Sequence, residues 1–535
     1  MPASPVADLT DLLASAAREA PERVAVVESG GRRVTWAELD AETNRVAHGM
    51  VAAGLVAGHR VAIASANRLE FVTTYLAVLR IQAVAVPLNP RSSPAEVEHA
   101  LADSGAVMVV ADEVAVGAVR TAVAALAERA AGDGTLPRPG VRRAPRIVLV
   151  GSTLAPGERS YDHLRATGTQ LVRPVLDPEK LAVLLYTSGA TGRPRAAMLS
   201  HRALLANVDQ LAQVDPPLIH GDDVVLGVLP LFHVYGLGAV LGSVLRHRAR
   251  LVLVTAYDPV DTLELVEDEA CSVVPIAPVV LQQWRTAENL AERLGPVRLL
   301  LSGSSMLEPA FVEEVTALTG VPVHQGYGLT EAAPVVTSTL CSVHNHAGSV
   351  GAAIPGVEIR LEDGAGRAPE PGDPGQVLIR GDNLFSGYWP DGADGPGPEG
   401  WWNTGDVGFL DEEGDLWLVD RVKDLVIVSG FNVYPVEVEE VILDVEGVRA
   451  AAVVGVADAR TGEAVVAYVL APGLDEAGAA ALAERVRAHC ASRLARFKQP
   501  AHVAVVDELP MTVTGKVRKG ILRAAARRRD TELFS

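Results

Sequence analysis

Cysteine is scarce in this chain: Cys271, Cys341 and Cys490 are the only three among 535 residues. Their odd number and wide separation exclude a disulfide framework, and no CxxC pair offers metal-ligand spacing. The N-terminus, Met1-Pro2-Ala3-Ser4-Pro5, lacks the charged stretch and apolar core of a secretory signal peptide. A reducing, cytoplasmic setting is therefore expected. Positive charge is also in short supply, with 47 Lys+Arg against 66 Asp+Glu and a net charge of −19. That balance excludes a nucleic-acid polymer as partner, because such a partner needs a basic face to neutralise its phosphates. A small anionic ligand would have to be met by individually placed cations. Residues 224–245 hold no Asp, Glu, Lys or Arg, a run long enough to span a membrane. Pro230, His233 and four glycines interrupt it, so a buried core segment is expected and no transmembrane segment.

What is present is an ordinary globular mixture, 49% hydrophobic and 21% charged. The length suits about three or four structural units. The N-terminal part alternates strands and helices. Thr35 and Glu38 form a capping-box pattern that predicts a helix running past Val46 and Met50 to Gly54. Residues 60–64 read as a strand, 70–79 as a helix and 84–88 as a strand. This order predicts a largely parallel sheet covered on both faces. In 113–145 the first half reads as a surface helix and 132–145 as a flexible connection. Pro369–Pro398 reads as a loop-rich excursion into solvent. Beyond Asp420 the composition changes, and strands at 425–428, 450–456 and 464–470 with helices at 435–444 and 476–494 make a compact α+β unit.

The densest local signal is Tyr186-Thr187-Ser188-Gly189-Ala190-Thr191-Gly192-Arg193-Pro194-Arg195, which follows the apolar run Leu181–Leu185. Glycines let backbone N–H groups turn inward, and the hydroxyls of Thr187, Ser188 and Thr191 add donors, a combination suited to a polyphosphate. It is not a Walker A loop, which requires GxxxxGK[ST].

This run resembles the phosphate-binding loop of the adenylate-forming superfamily, which includes acyl-CoA synthetases, coumarate ligases, firefly luciferase and peptide-synthetase adenylation domains. Further segments match in the family's order across nearly the whole chain. They are Leu229-Pro-Leu-Phe-His-Val-Tyr-Gly-Leu237, Gln325-Gly-Tyr-Gly-Leu-Thr-Glu331, Thr404-Gly-Asp406, Asp420-Arg-Val-Lys-Asp-Leu425 with Ser429-Gly-Phe-Asn-Val433, and Leu509-Pro-Met-Thr-Val-Thr-Gly-Lys516. The resemblance implies a large N-terminal α/β domain of parallel-sheet subdomains with a small β subdomain (1–420). A hinge at 421–424 and a mobile α+β C-terminal domain (425–535) would follow.

The resemblance also assigns roles. Thr187, Ser188, Gly189, Thr191, Gly192 and Arg195 would cradle the ATP phosphates. Gly303, within Ser302-Gly303-Ser304, and Gln325, Gly326 and Tyr327 would form the adenine side, Tyr327 by stacking. Thr330 would bond the α-phosphate, while Glu331, with Thr191, would hold Mg²⁺, a hard cation that prefers oxygen ligands. Asp406 would take the ribose hydroxyls and Arg421 the ribose or phosphate. Lys516 would cross to the substrate carboxylate and α-phosphate, where a point cation meets the charge that builds on phosphorus. Lys423 would be the hinge, and Ser429 and Gly430 would line the CoA side. His233 would gate the acyl pocket, with Tyr235 deeper inside.

Together these imply a carboxylic acid–CoA ligase that uses ATP, Mg²⁺ and coenzyme A on a hydrophobic fatty or aryl acid. Two alternatives stay open: loading of a carrier-protein phosphopantetheine, and a non-catalytic nucleotide-binding homologue. No carboxylate follows His233 to pair with an α-amine, which disfavours an amino-acid substrate. Ile427 stands where coumarate ligases and luciferases carry a further lysine. The loop also departs from the family, with Ala190 for Ser/Thr, Arg195 for Lys and Ala196 for Gly; altered handling of the β,γ-phosphates is expected. Against the acidic average, Arg193, Arg195, Arg421, Lys423 and Lys516 stand out as placed cations, beside a basic tail from Arg518 to Arg529.

Overall fold

The computed structural model describes residues 8–132, 144–165, 177–187, 194–304, 307, 309–363, 366–370, 373–421, 424, 426–428, 431–458, 461–494, 496–512, 516–523 and 525–526. The chain packs as two units, Met1–Glu358 with Arg380–Trp402, and Ile359–Ile379 with Asn403–Ser535.

The first unit is built on two seven-stranded sheets. One runs Val323–Gln325, Leu299–Ser302, Val273–Ile276, Val224–Gly227, Arg250–Leu253, Val24–Glu28 and Arg33–Thr35, parallel except for the last pair. The other runs Arg159–Ser160, Arg146–Leu149, Met108–Ala111, Arg60–Ala64, Val84–Leu88, Leu181–Thr187 and Arg195–Ser200, again parallel except for the last pair. The helix Leu69–Arg80 is buried at every position but Glu70, as expected of a helix that is apolar all round. It shares one core with side chains of both sheets, among them Val26, Leu251, Val61 and Ile63. The helix Trp36–Ala52 opens on the predicted capping box, with Glu38 N–H on Thr35 Oγ1 at 3.2 Å and Thr35 N–H on Glu38 Oε2 at 2.8 Å.

Ion pairing fixes where several strands begin. Asp223, Ser272 and Arg298 each precede a strand of the first sheet. Asp223 accepts from Ser272 Oγ at 2.7 Å, His220 N–H at 2.6 Å and Arg298 Nε at 3.0 Å. Burial alone would raise the Asp223 carboxyl, but Arg298, the His220 N–H and the Ser272 hydroxyl hold it below the usual carboxylate range. A depressed folded-state pKa means stability that is present above the unfolded value of about 4 and lost as pH falls through the folded value. Asp223→Asn is expected to cost about 1–3 kcal/mol at neutral pH. In thermal denaturation the gap between wild type and variant should close as pH drops below 4, and a gap of constant size would refute the assignment.

The second unit holds most of a four-stranded sheet, Val357–Glu362, Gly375–Gly381, Trp402–Leu410 and Leu416–Arg421. It also holds a C-terminal sheet in which Ala450–Asp458 and Gly462–Leu470 pair antiparallel and His502–Val506 joins parallel. The helices Pro435–Leu443 and Glu476–Arg493 pack on that sheet through Val438, Ile442, Leu482 and Val486.

The run without charges, 224–245, is a four-residue strand, a turn, a π-helix at Tyr235–Gly242 and a short α-helix. Among the described residues no helix is long and apolar enough to cross a membrane. The first half of 113–145 is helical, Val116–Gly132, and the connection read at 132–145 lies largely outside the described residues. Pro369–Pro398 is not the solvent excursion its composition suggests. It contains the strand Gly375–Gly381, and Leu384 and Phe385 are buried. Glycine, proline and aspartate dominate its turns and obscure two short apolar stretches that are decided by their partners.

Candidate active site

In the first sheet Ile276 lies opposite Ser302, and Ser302 opposite Gln325. The three chains therefore leave the sheet at one level, on the carboxyl edge, opposite the Asp223 cluster. Ligands of open parallel α/β sheets bind at such edges. Here the edge delivers Ser302-Gly303 and Gln325-Gly326-Tyr327.

Gly303 lies under the ring of Tyr235. A Cβ at position 303 would stand 2.5 Å from Tyr235 Cε1 and 3.2 Å from its hydroxyl oxygen. Bare backbone is therefore required where the ring rests. Tyr235 opens the π-helix Tyr235–Gly242, a geometry frequent at functional sites. At Gly238 this helix comes so close to Ala333 that a Cβ would meet the Ala333 carbonyl oxygen at 2.9 Å. Burial pushes the Tyr235 phenol well up, so it is neutral and available as a donor at physiological pH. His233, half-buried, accepts the Tyr235 N–H at Nδ1 over 3.3 Å.

The backbone of 325–327 is pinned by two threonines. Gln325 N–H donates to Thr339 Oγ1 and Tyr327 N–H to Thr337 Oγ1, each at 3.1 Å. The Gln325 side chain accepts Leu307 N–H at 3.0 Å and so holds the chain downstream of Gly303. Tyr327 is buried, and Thr330–Ala332 forms a 3₁₀ turn that presents Glu331.

Glu331 is 7% exposed, and among the described residues no Lys or Arg forms an ion pair with it. Its Oε1 accepts the Tyr388 hydroxyl at 2.6 Å. Tyr388 comes from a segment that hydrogen-bonds along the edge of Arg195–Ser200. Ser386 N–H meets Met198 O at 2.9 Å, and Trp389 N–H meets Ala196 O at 2.9 Å. The Arg195 guanidinium lies over the Tyr388 ring, 3.9 Å from its centroid, and bonds Asp394 at 2.8 Å. Burial first, then the Glu331 carboxylate, push the Tyr388 phenol well up, which keeps it protonated as a donor. A buried carboxylate with no cationic partner among the described residues fits a hard divalent cation, since an uncompensated buried charge is costly.

Thr187 ends its strand with Oγ1 on Arg195 O at 3.4 Å. Ser188, Gly189, Thr191, Gly192 and Arg193 lie outside the described residues, as do Lys423, Ser429 and Gly430. In the second unit, Asp406 stands opposite Arg421 in the antiparallel ladder. Asp406 is buried, its N–H on Thr404 Oγ1 at 3.1 Å. Lys516 is exposed, with Thr512 N–H on Lys516 O at 2.7 Å and Lys516 N–H on Thr512 Oγ1 at 3.0 Å.

The sequence model of AMP-binding enzymes matches residues 13–389, and that of the AMP-binding enzyme C-terminal domain matches 437–516. The chain belongs to the AMP-binding enzyme family. It is 34% identical over 496 residues to a long-chain-fatty-acid–CoA ligase of Escherichia coli O157:H7, covering 89% of this chain and 86% of that one. A feruloyl-CoA synthase of an Amycolatopsis species is 35% identical over 95% of this chain and 96% of its own. The crystal structure of ATP-bound MatB from Rhodopseudomonas palustris superposes with a TM-score of 0.85 at 32% identity, covering 97% and 98% of the two chains. The fold is that of the adenylate-forming enzymes. The activity is that of the family: ATP-dependent joining of a carboxylic acid to CoA through an acyl-adenylate.

In this AMP-binding enzyme the structure brings the sequence-predicted residues together in three groups. Tyr235 packs on Gly303, and His233 bonds the Tyr235 backbone. Gln325, Gly326, Tyr327, Thr330 and Glu331 form one continuous strand exit. Asp406 and Arg421 face each other across a ladder. Arg195 reaches the Glu331 group only through Tyr388, which sequence reasoning missed. The signal was there as Phe385-Ser-Gly-Tyr388-Trp389, an aromatic island in a Gly/Pro-rich stretch.

Proposed function

We propose that this AMP-binding enzyme activates a hydrophobic fatty or aryl acid, using Mg²⁺ with ATP, and passes it to CoA. A carboxylate oxygen of the acid attacks the α-phosphorus of ATP, the bond to the bridging oxygen breaks, and pyrophosphate leaves. The CoA thiolate then attacks the acyl carbon, the carbonyl π pair moves to oxygen and returns, and AMP leaves.

The observation that carries this reading is Glu331, a buried carboxylate on a glycine-rich strand exit with no cation paired to it among the described residues. Glu331 and Thr191 would hold Mg²⁺, which supplies charge neutralisation on the phosphates. Thr330 would donate to the α-phosphate, and Lys516 would stabilise the charge developing there. Asp406 and Arg421 would take the ribose. Thr187, Ser188, Gly189, Thr191, Gly192 and Arg195 would hold the remaining phosphates. Gln325 would act through backbone, since its side chain is spent on Leu307. On the acyl side, Tyr235 over Gly303 gives an aromatic floor to the pocket, with His233 at its mouth. Lys423 would be the hinge of a domain rotation about 421–424, and Ser429 and Gly430 would meet the pantetheine.

The test is release of AMP and pyrophosphate with ATP and CoA across short, medium, long-chain and aromatic acids, with a holo-carrier protein in place of CoA as a parallel arm. Turnover of apolar acids with CoA is expected. Turnover confined to the carrier arm, or none with any acid, would overturn the reading.

A further inference from the structure

Arg195 and Glu331 carry opposite charges and meet the same tyrosine, one at its ring face and the other at its hydroxyl, yet they do not form an ion pair with each other. The Tyr388 ring takes the guanidinium on its face at 3.9 Å, and its hydroxyl donates to Glu331 at 2.6 Å. A cation over a phenol face is attracted by the ring quadrupole and polarises the O–H, which strengthens the bond that the hydroxyl donates. The ring and the backbone that carries it are both held. Phe385 meets it edge-on at 5.1 Å between centroids, Tyr388 N–H bonds Ala393 O at 2.9 Å, and the flanking Ser386 and Trp389 are tied to Met198 and Ala196. Asp394 bonds Arg195 at 2.8 Å and is 70% exposed, so it anchors the guanidinium from the solvent side.

We propose that Tyr388 is a positioning residue for the nucleotide. Its ring keeps Arg195 and Glu331 from neutralising each other, so that the cation stays available to phosphate and the carboxylate to the metal. The inference rests on the reading of Glu331 as a ligand of the metal that accompanies ATP. It also accounts for an arginine where the family resemblance leads one to expect lysine: a planar guanidinium lies flat on the ring and still bonds Asp394, whereas an ammonium is a compact point charge.

The experiment is equilibrium binding of ATP by calorimetry, with acid and CoA omitted, once with Mg²⁺ and once with EDTA. The ratio of the two affinities measures how strongly metal and nucleotide support each other. Tyr388→Phe keeps the ring and its packing and removes one oxygen. It should lower that ratio by about 10-fold, the order expected for a hydrogen bond to a charged group, and leave binding in EDTA near wild type. In a Glu331→Gln background the same substitution should have no further effect. Tyr388→Leu removes the ring, lets Arg195 and Glu331 pair, and should weaken binding in both conditions. An unchanged ratio in Tyr388→Phe, or a loss that persists in Glu331→Gln, overturns the proposal. If Tyr388→Leu fails to fold, Tyr388→Phe still decides the matter. A wild-type protein that binds ATP equally with Mg²⁺ and EDTA overturns the reading of Glu331 instead.

Discussion

Lys516→Ala is expected to slow acyl-adenylate formation by about 10²- to 10³-fold, the range seen when one preorganised donor to a developing anion is removed. The lysine side chain is exposed, and its backbone N–H and carbonyl bond Thr512. Thermal stability should therefore stay within a degree or two of wild type, in keeping with the small effect of most surface substitutions. The loss belongs to one half-reaction. Acid-dependent exchange of pyrophosphate into ATP should fall steeply, while thioester formation from a pre-made acyl-adenylate and CoA should fall far less. Lys516→Arg should recover part of the exchange rate, because charge is kept but the compact ammonium is replaced by a planar fork. An equal loss in both half-reactions would remove Lys516 from the chemistry at phosphorus.

Gly303→Ala should be nearly as damaging, for a steric reason. The added methyl would stand 2.5 Å from Tyr235 Cε1, closer than packed carbons come, so the ring must turn away or the strand exit must shift. Either change would misplace the surface proposed to line the acyl pocket by a fraction of an ångström to an ångström, which costs on the order of 10²-fold in kcat/KM for an oriented reaction. The backbone itself is not the obstacle, since Gly303 is not among the glycines in the left-handed region. Combining Gly303→Ala with Tyr235→Ala removes the clash and should recover turnover of bulky acids better than of short ones. A Gly303→Ala enzyme with unchanged kinetics would mean that the Tyr235 ring does not line the acyl pocket.

Much of the fold was legible because local signals and tertiary placement agree. The strands Arg60–Ala64 and Val84–Leu88 span the residues read as strands, and the Thr35–Glu38 box starts its helix as read. The stretch Pro369–Pro398 was misread because turn-forming residues outnumber those of its seven-residue strand and its aromatic island. Strands of that length form only when a neighbour supplies the hydrogen bonds, and no neighbour is visible in a window of sequence. The same limit hid Tyr388, whose partners Arg195 and Glu331 lie 193 and 57 positions away along the chain.

By itself the sequence pointed to the chemical class through its resemblance to the adenylate-forming family, because the segments that carry that resemblance are local runs that can be read without knowledge of the fold. It also set two expectations: three separated cysteines argue against a disulfide scaffold, and a charge of −19 argues against a nucleic-acid polymer as partner. Only the tertiary structure decided which of those residues meet. The parallel ladder brings Ser302 and Gln325 to one level, close packing sets Tyr235 on the bare backbone of Gly303, and an aromatic ring links Arg195 to Glu331. Such pairings follow from sheet register and side-chain packing between distant segments, which no local spacing encodes.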